Sequence, residues 1–418
     1  MASDSDQKDI VVVGGGIIGC TSAYFLTRHP AYDPSKHKIT LLEASKIAGG
    51  ASGKAGGLLA LWAYPSNIVP LSYRLHAQLA KEHDGESKWG YRRIHCGQLA
   101  AKGRPNEKKE MLECKPSIGE SVSLNKRDGK ALGKVTAAAL PKDLNWFAPE
   151  SVRSYYEMGD PDTTAQVHPY QFTTAMAELA AQKGVNIILG SVTSIDTSNR
   201  SGVKSVTYKD KASQTSHTIA ATDVVVSAGP WTQRVYPPAP ISGMRAHSVT
   251  ITPSKPISAH AIFTEISLPP DFGNKDTFLK SKRAHQKTVT PEIYARPNNE
   301  AYACGEGDHL VPLPKTTEDV ETDLARCQDI IDYVSSVSDE LRDGEVTVRQ
   351  ACYLPNVEAV SGGPLIGPTG VRGLLLAAGH TCWGIQNGPG TGKLISEFVF
   401  DGKAKSATIG SLDPRKVM

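Results

Sequence analysis

The chain has no long apolar run and almost no excess of either charge. None of its hydrophobic stretches reaches the roughly 18 residues that a membrane-spanning helix needs. Its 46 lysines and arginines nearly balance 43 aspartates and glutamates, and the net charge of +3 gives no signal for nucleic-acid binding. These absences predict a globular protein without a nucleic-acid partner or a membrane span.

Cysteines are few and irregularly placed. The seven cysteines are an odd number, they are widely spaced, and no Cys-x-x-Cys pair occurs. This pattern excludes a disulfide framework and a zinc site, so we expect no bound metal. The cysteine pattern fits a reducing compartment. The polar segment Met1–Lys8 also lacks the apolar core of a signal peptide. We therefore expect a cytoplasmic location.

The first positive signal in the sequence is an apolar strand, Asp9–Val13, which is followed by a glycine-rich turn and a helix. Gly14 permits the tight turn, Gly16 lets the backbone approach a pyrophosphate, and Gly19 lets helix and strand pack closely. The helix N-terminus offers N–H groups to the phosphates. A second strand, Lys38–Glu43, ends in an acid that could hold a ribose hydroxyl. The pattern predicts a dinucleotide site that includes Gly14, Gly16, Ile17, Ile18, Gly19 and Glu43.

A run of small residues follows the acid and favours FAD over NAD. The segment Ala44–Leu58 is rich in glycine, alanine and serine, which let a second loop lie along an extended cofactor. A flexible linker is the alternative interpretation. An NAD-dependent dehydrogenase of simple Rossmann type would explain only about the first 45 residues. The FAD contacts predicted in this run are Ala44, Ser45, Ser52, Gly53, Ala55, Gly56, Gly57 and Leu58.

Three later segments extend the pattern. A helix over Thr173–Lys183 leads to a strand that begins at Gly184, Asp223–Trp231 ends in Ala-Gly-x-Trp, and Leu374–His380 ends in Gly-His. In this order, and with the glycine-rich turn, the segments resemble the D-amino-acid oxidase family of flavoproteins, which includes glycine oxidase and sarcosine oxidase. The resemblance runs from about Asp9 to about Gly402. It implies further FAD contacts at Val192, Ala228, Gly229, Trp231, Gly379, His380, Gly384, Ile385 and Gln386.

The resemblance also implies an α/β fold with two domains interleaved along the chain. A length of 418 residues is too great for one ordinary core. We expect a Rossmann-like FAD-binding domain formed by residues 8–90, 165–235 and 345–418. An α+β substrate domain built on a mixed sheet would take residues 91–164 and 236–344.

Local patterns predict several elements of the substrate domain. Alternating residues favour strands over Ala246–Ile251, Glu292–Arg296 and Glu300–Cys304, with a hairpin turn between the last two. Helical periodicity runs over Asp319–Ser336. Its predicted apolar face consists of Val320, Leu324, Cys327 and Ile331.

By the resemblance, the chemistry is hydride transfer from the carbon next to an amine nitrogen. The imine that results is hydrolysed by water, and oxygen takes the electrons from the flavin and leaves hydrogen peroxide. We therefore expect an amine or amino-acid oxidase with a small-molecule substrate and O2 as acceptor. A flavin dehydrogenase with another acceptor is one alternative. A flavin-binding regulatory or interaction protein with little turnover is the other.

Four side chains are candidates for the active site beyond the cofactor contacts. His380 follows Gly379 in the flavin-facing loop and is a candidate contact to flavin or substrate. Tyr294 and His247 would point into the site from the sheet, and all three are the candidate catalytic residues. Trp383 would close the pocket over the substrate. For each of them a structural role in the core or the sheet is the alternative.

Cys352 resembles the cysteine that bonds covalently to the flavin in sarcosine oxidase, because it precedes Pro364–Gly367 in a similar way. A thioether needs a thiolate, which a positive neighbour such as Arg349 could favour. The resemblance therefore implies FAD attached through Cys352. A buried packing residue is the alternative.

The match is weakest where the family binds the substrate carboxylate. Leu354 stands where amino-acid oxidases of the family carry an arginine, and Gln386 and Leu61 stand where sarcosine oxidase carries cations. Either another cation binds the carboxylate or the substrate is not a simple α-amino acid. The candidates for substrate binding are Arg245, Arg296, Arg349 and Trp383, with surface or ion-pair roles as the alternative for the arginines.

Overall fold

The structure is a computed structural model that describes residues 7–105, 121–124, 140–197, 202–270, 272, 285–359 and 363–418. Within these ranges the helices are α1 (Ile17–Leu26), α2 (Ala51–Lys54), α3 (Val69–His83), α4 (Gly85–Trp89), α5 (Pro169–Ala181), α6 (Thr232–Val235), α7 (Leu324–Ser335), α8 (Asp339–Arg342) and α9 (Gly384–Asp401).

The strands of the same ranges fall into two large sheets and one small sheet. In chain order they are β1 (Lys8–Val13), β2 (His37–Glu43), β3 (Leu58–Ala60), β4 (Arg92–Arg93), β5 (His95–Lys102), β6 (Val152–Gly159), β7 (Thr164–Gln166), β8 (Asn186–Asp196), β9 (Ser205–Asp210), β10 (Ser216–Ala220), β11 (Asp223–Val226), β12 (Ile241–Thr252), β13 (His260–Ser267), β14 (Thr288–Val289), β15 (Glu292–Arg296), β16 (Glu300–Asp308), β17 (Glu345–Val357), β18 (Leu365–Pro368) and β19 (Leu374–Ala378).

The first sheet has the strand order β10-β9-β8-β2-β1-β11-β19-β18. Its centre, from β8 to β19, is parallel, and its outer strands are antiparallel. Alternate residues of β1 enter two separate cores: Ile10 and Val12 pack with α1 and α5, whereas Val11 and Val13 pack on the opposite face. A strand buried on both faces needs a continuous apolar run, which explains the sequence of β1.

The carboxyl ends of four parallel strands meet at one edge of this sheet. Val13 ends β1, Glu43 ends β2, Val226 ends β11 and Ala378 ends β19. In open α/β sheets the ligand binds at this edge, where the connections change direction. The fold therefore brings segments more than 300 residues apart to one place, as the sequence predicts.

The second sheet has the order β17-β12-β16-β15-β13-β5-β6, with β14 paired to β13. It is antiparallel except for the pair of β13 and β5. The hairpin predicted between β15 and β16 is confirmed, and Asn298 and Asn299 adopt the left-handed φ values of 62° and 56° that its turn requires. A Rossmann-like sheet with helices and a second mixed sheet confirm the predicted fold class.

Two helix boundaries differ from the prediction. Helix α7 begins only at Leu324, because the Asp323 side chain accepts hydrogen bonds from the N–H groups of Ala325 (2.9 Å) and Arg326 (3.2 Å). The placement of Leu324 on the apolar face is wrong, since this residue is 42% exposed. Helix α5 begins at Pro169 rather than at Thr173, as expected for a proline in the first turn.

The division into domains stays a prediction. One observation bears on its boundaries: β17 lies in the segment 345–418, which we assigned to the FAD-binding domain, yet it pairs with β12 along its length. Backbone hydrogen bonds thus place this strand in the second sheet.

The six cysteines within the described ranges are free, and Cys114 lies outside those residues. No described helix is both long and apolar enough to cross a membrane. In the same ranges, the residue types that ligate metals form no cluster of three or more.

Candidate active site

The glycine-rich turn places its backbone against the neighbouring strand β11. Gly14 has a φ of 109°, and a Cβ atom on it would lie 2.5 Å from the carbonyl oxygen of Ser227. A Cβ atom on Gly19 would overlap the carbonyl oxygen of Gly14. Only glycine fits at these two positions, so the close packing of α1 on the turn is built into the sequence.

The acid at the end of β2 ties together the turn and the small-residue run. The Glu43 carboxylate accepts hydrogen bonds from the N–H of Gly15 (2.7 Å) and from the N–H and hydroxyl of Ser45 (2.8 and 2.9 Å). The hydroxyl oxygen of Ser52 accepts from the N–H of Ile17 at 2.9 Å. These bonds fix the run along the start of α1, where the orphan N–H groups of the helix are found.

A first cavity, with about 1320 Å³ of empty space including its open mouth, follows these elements. It runs from the acid at the end of β2, past the glycine-rich turn, to the turn between β19 and α9. The predicted cofactor contacts that line it are Gly14, Gly16, Ile17, Ile18, Glu43, Ala44, Ser52, Ala55, Val192, Ala228, Gly229, Trp231, Gly379, His380, Gly384 and Ile385.

At the far end of the first cavity, Gly379 turns the chain with a φ of 82°. His380 is buried, and its Nε2 lies 2.9 Å from the Thr391 hydroxyl. Burial lowers the pKa of His380 to about 3, so the imidazole is neutral near pH 7. Helix α9 begins at Gly384 and directs its N-terminus, with its partial positive charge, to this end of the cavity.

A second cavity, with about 610 Å³ of empty space, adjoins the first. Ala51, Ala55, Leu354, Cys382 and Ile385 line both cavities. The second sheet supplies much of the remaining wall. Predicted residues that line this second cavity are Ala55, Gly56, Gly57, Leu58, His247, Tyr294, Cys352, Trp383 and Ile385.

Three aromatic side chains, Tyr294, Tyr302 and Trp383, line the second cavity. Tyr294 and Tyr302 stack with their centroids 5.8 Å apart and an interplanar angle of 3°. Trp383 packs edge-on against Trp62 (5.5 Å) and Tyr64 (6.0 Å). The Tyr294 hydroxyl donates a hydrogen bond to the buried carboxylate of Glu292, which fixes the ring. The chamber is therefore rigid and largely apolar, as is usual for small-molecule sites.

His247 lines the second cavity, but its ring nitrogens face elsewhere. Its Nε2 accepts a hydrogen bond from the N–H of Asp323 at 3.0 Å, and its Nδ1 lies 3.8 Å from Asp308. Burial, followed by the nearby Arg245, lowers the pKa of His247 to about 4. A neutral imidazole whose nitrogens face Asp323 and Asp308 is suited to supporting the cavity wall rather than to taking a proton from a substrate.

Four predicted cofactor contacts line neither cavity. Gly19 packs on Gly14, and Gly53 packs on the carbonyl of Ala48. Ser45 is buried beside Glu43. The side-chain oxygen of Gln386 accepts from the N–H of Ala60 at 2.8 Å, because its place in the first turn of α9 faces β3.

The three predicted substrate arginines also lie outside both cavity linings. Arg245 is 2% exposed and pairs with Asp308, with Nη2 3.1 Å from the carboxylate. Arg296 donates to the carbonyl oxygens of Ala55 and Gly56 and pairs with Glu300 at 2.8 Å. Arg349 lies on β17. A buried guanidinium needs a partner close by, and for Arg245 and Arg296 that partner is a protein group.

Sequence reasoning missed several residues that line the cavities. Lys54 lines the second cavity. It is the one charged residue in the run of small residues Ala48–Leu58, and this isolated charge is a signal that could have identified it. Lys315, Thr316 and Thr317 line the first cavity. The hydroxyl of Thr317 bonds that of Ser45, 272 residues earlier, and no local pattern predicts such a contact.

The comparison with protein families agrees with this geometry. A family model described as DAO, FAD dependent oxidoreductase, matches residues 9–398. The chain is 37% identical to the Saccharomyces cerevisiae protein TDA3, whose assignment as an oxidoreductase is provisional, with 98% of this chain and 94% of that protein covered. It is 35% identical to the Schizosaccharomyces pombe protein C1F5.03c, also provisionally an oxidoreductase, with 98% of each covered.

Solved structures show the same fold. The glycine oxidase of Bacillus cereus superposes with a TM-score of 0.66 at 17% identity, over 96% of each chain. The iminodiacetate oxidase of Chelativorans sp. superposes with a TM-score of 0.67 at 15% identity, over 97% of this chain and 98% of that one. At such identities the likeness concerns the fold alone.

The residues of the first cavity fit FAD, the cofactor of the matched family. Glu43 would supply an acid for a ribose, and Gly14 and Gly16 line the cavity without side chains, as the approach of a pyrophosphate requires. A Cβ atom on Gly16 would lie 3.0 Å from the Ser52 hydroxyl, so the turn has little room for a side chain there. The turn at Gly379 and the start of α9 line the remaining end of this cavity, where they would hold the flavin ring beside the second cavity.

Proposed function

The chain belongs to the DAO family of FAD-dependent oxidoreductases, and from that premise we propose that it oxidises the C–N bond of an amine or amino acid. The observation that carries the proposal is the shared wall: Ala55, Leu354 and Cys382 line both the first cavity and the aromatic second cavity. Bound FAD would supply the acceptor for a hydride from the carbon next to nitrogen, with O2 as the final acceptor and with an imine and hydrogen peroxide as products.

The protein's own residues would bind and orient the substrate. Tyr294, Tyr302 and Trp383 present rigid rings that exclude water from the second cavity and hold an apolar part of the substrate. The fixed rotamer of Tyr294, held by Glu292, would keep the reacting carbon at a constant distance from the first cavity. We propose Tyr294 as an orienting residue and His380, in the first cavity, as a neutral contact to the cofactor.

The test is anaerobic reduction of the purified yellow protein. Primary amines, secondary amines, glycine, D-amino acids and a hydroxy acid are added in turn, and absorbance of the oxidised flavin is followed. Bleaching by an amine, with hydrogen peroxide formed in equal amount to the oxygen consumed after air is admitted, supports the proposal. Bleaching without oxygen consumption would indicate a dehydrogenase, and no bleaching by any compound would favour a regulatory flavin-binding protein.

A pair of variants tests whether the second cavity is the site of this reaction. Tyr294→Phe removes a hydroxyl that bonds Glu292, whereas Tyr156→Phe removes one from a residue that is 51% exposed. We expect Tyr294→Phe to slow bleaching by up to about tenfold, the upper end of the effect of losing one hydrogen bond. Equal rates in the two variants would place the reaction elsewhere.

We also propose that FAD is attached through Cys352, by a thioether that would replace the S–H bond of Cys352 and one C–H bond of the flavin 8-methyl group. The two electrons released would pass to the flavin ring and then to O2. Cys352 is buried, lines the second cavity and lies two residues before Leu354, which lines both cavities. Acid precipitation of the wild-type protein should leave flavin with the precipitate, in a peptide that contains Cys352. Cys352→Ala should release it, and Cys304→Ala, a control from the same cavity, should not. Release of intact FAD from the wild type would make Cys352 a packing residue.

A further inference from the structure

Lys54 is the last residue of α2 and lines the second cavity. Among the described residues of that cavity it is the only lysine or arginine. Lys54 is half-buried, and the same wall contains Tyr294, Tyr302 and Cys352, so its charge lies beside a largely apolar lining. A cation in such surroundings is costly unless an anion or several acceptors compensate it.

The protein compensates Lys54 only in part. Its Nζ donates one hydrogen bond, at 2.8 Å, to the carbonyl oxygen of Ala351 on β17. An ammonium group has three N–H donors, which leaves two for other partners. Among the described carboxylates none forms an ion pair with Lys54. Burial lowers the pKa of Lys54, and the Cys352 thiol opposes this effect.

Lys54 also supplies a positive charge close to Leu354, the position at which the chain lacks the arginine of related amino-acid oxidases. Ala351 lies on the same strand as Leu354 and three residues before it. Lys54 therefore brings a positive charge to the stretch of β17 at which the wall of the second cavity meets the first. Arg245 and Arg296 cannot do so, because Asp308 and the carbonyls of Ala55 and Gly56 already hold their guanidinium groups.

We propose that Lys54 binds the carboxylate of the substrate, which makes the substrate an amino acid or an N-substituted amino acid rather than a simple amine. This inference rests on the proposed function. A lysine is a point charge rather than a fork, so it binds a carboxylate without the fixed bidentate geometry of an arginine. The site would accordingly accept carboxylates that differ in orientation.

The experiment compares the binding of benzoate and benzamide to the oxidised holoprotein by flavin absorbance. The two probes have the same shape and differ in charge. We expect the wild type to bind benzoate about 10- to 100-fold more tightly, the range that a hydrogen bond to a charged group provides. Lys54→Met should reduce this ratio to about one, whereas Lys54→Arg should retain a preference for benzoate.

Lys46→Met is the matched control, because it removes an exposed lysine near Lys54 that lines neither cavity. It should keep the wild-type ratio. FAD content and melting temperature are measured for each variant, and the wild-type ratio tests the proposal even if Lys54→Met does not fold. Equal affinity for the two probes, or no binding of either to FAD-loaded wild type, would overturn it.

The outcome is separable from that of the proposed function. Selective benzoate binding that depends on Lys54, in a protein that no amine reduces, would retain the carboxylate site and reject the oxidation. Reduction by amines together with a ratio that Lys54→Met leaves unchanged would retain the oxidation and reject the role of Lys54.

Discussion

Gly56 lies flat against the ring of Tyr294: a Cβ atom on Gly56 would overlap Cε2 and Cδ2 of that ring. Both residues line the second cavity, and the hydrogen bond from the Tyr294 hydroxyl to Glu292 opposes movement of the ring away from Gly56. The turn after α2 and the sheet beneath it thus fit only with glycine at this position.

Gly56→Ala is therefore expected to destabilise the protein by about 1–3 kcal/mol, the usual cost of overpacking a core. Urea unfolding followed by tryptophan fluorescence measures the free energy of unfolding. Gly410→Ala is the control, since a Cβ atom there meets nothing within 4 Å. If the two variants are equally stable, the contact between Gly56 and Tyr294 is not tight.

Gly19→Ala should prevent retention of FAD. In most helices this change stabilises, by about 1 kcal/mol, but here the added methyl group would overlap the carbonyl oxygen of Gly14. The turn that faces the first cavity must then move. The ratio of flavin to protein absorbance after gel filtration measures retention, and Phe25→Leu, a partly buried residue at the far end of α1, should keep it. A yellow Gly19→Ala protein would contradict the assignment.

Glu43→Gln is expected to weaken FAD binding about tenfold or more. The carboxylate accepts from Gly15 through one oxygen and from Ser45 through the other, and the NH2 group that replaces one of these oxygens in glutamine cannot accept a hydrogen bond. Titration of apoprotein with FAD, followed by quenching of flavin fluorescence, gives the dissociation constant. Glu178→Gln, an exposed residue of α5, is the control. Unchanged affinity would remove Glu43 from the cofactor site.

Asp308→Asn should be strongly destabilising. Asp308 is fully buried and pairs with Arg245 at 3.1 Å and with Arg326 at 3.4 Å. Removing one partner of a buried ion pair costs about 3–5 kcal/mol because the remaining charge is uncompensated. Asp343→Asn breaks the partly exposed pair with Arg342 and should cost less than about 1 kcal/mol. Similar losses in the two variants would show that the network contributes little.

Stability should fall as pH decreases below about 6.5, because His76 is buried in its neutral form. Burial lowers the pKa of His76 to about 4, so the unfolded state binds a proton between pH 6.5 and 4 that the folded state does not. One such histidine adds a slope of about 1.4 kcal/mol per pH unit. His76→Gln should reduce the slope by that amount at most, and exposed His217→Gln should not change it. Parallel unfolding profiles for all three proteins would refute the assignment.

Local patterns were sufficient for part of the fold and of the site. The left-handed turn at Gly14, the packing of Gly19 on Gly14 and the hairpin of β15 and β16 involve neighbours close in sequence, so the predicted turn, helix packing and hairpin are confirmed. The surroundings of the arginines could not be foreseen. Arg245 pairs with Asp308, which lies 63 residues later, and no pattern in the sequence around either residue predicts this pairing.

The first cavity is assembled from segments that lie far apart in the chain. Its floor comes from residues near 14 and 43, and its far end from the turn at Gly379 and the start of α9. During synthesis, a chain that emerges N-terminus first cannot complete this cavity until the residues that begin α9 have left the ribosome. FAD held in this cavity would therefore be captured only after the start of α9 has been synthesised, and a shortage of FAD would act after that point.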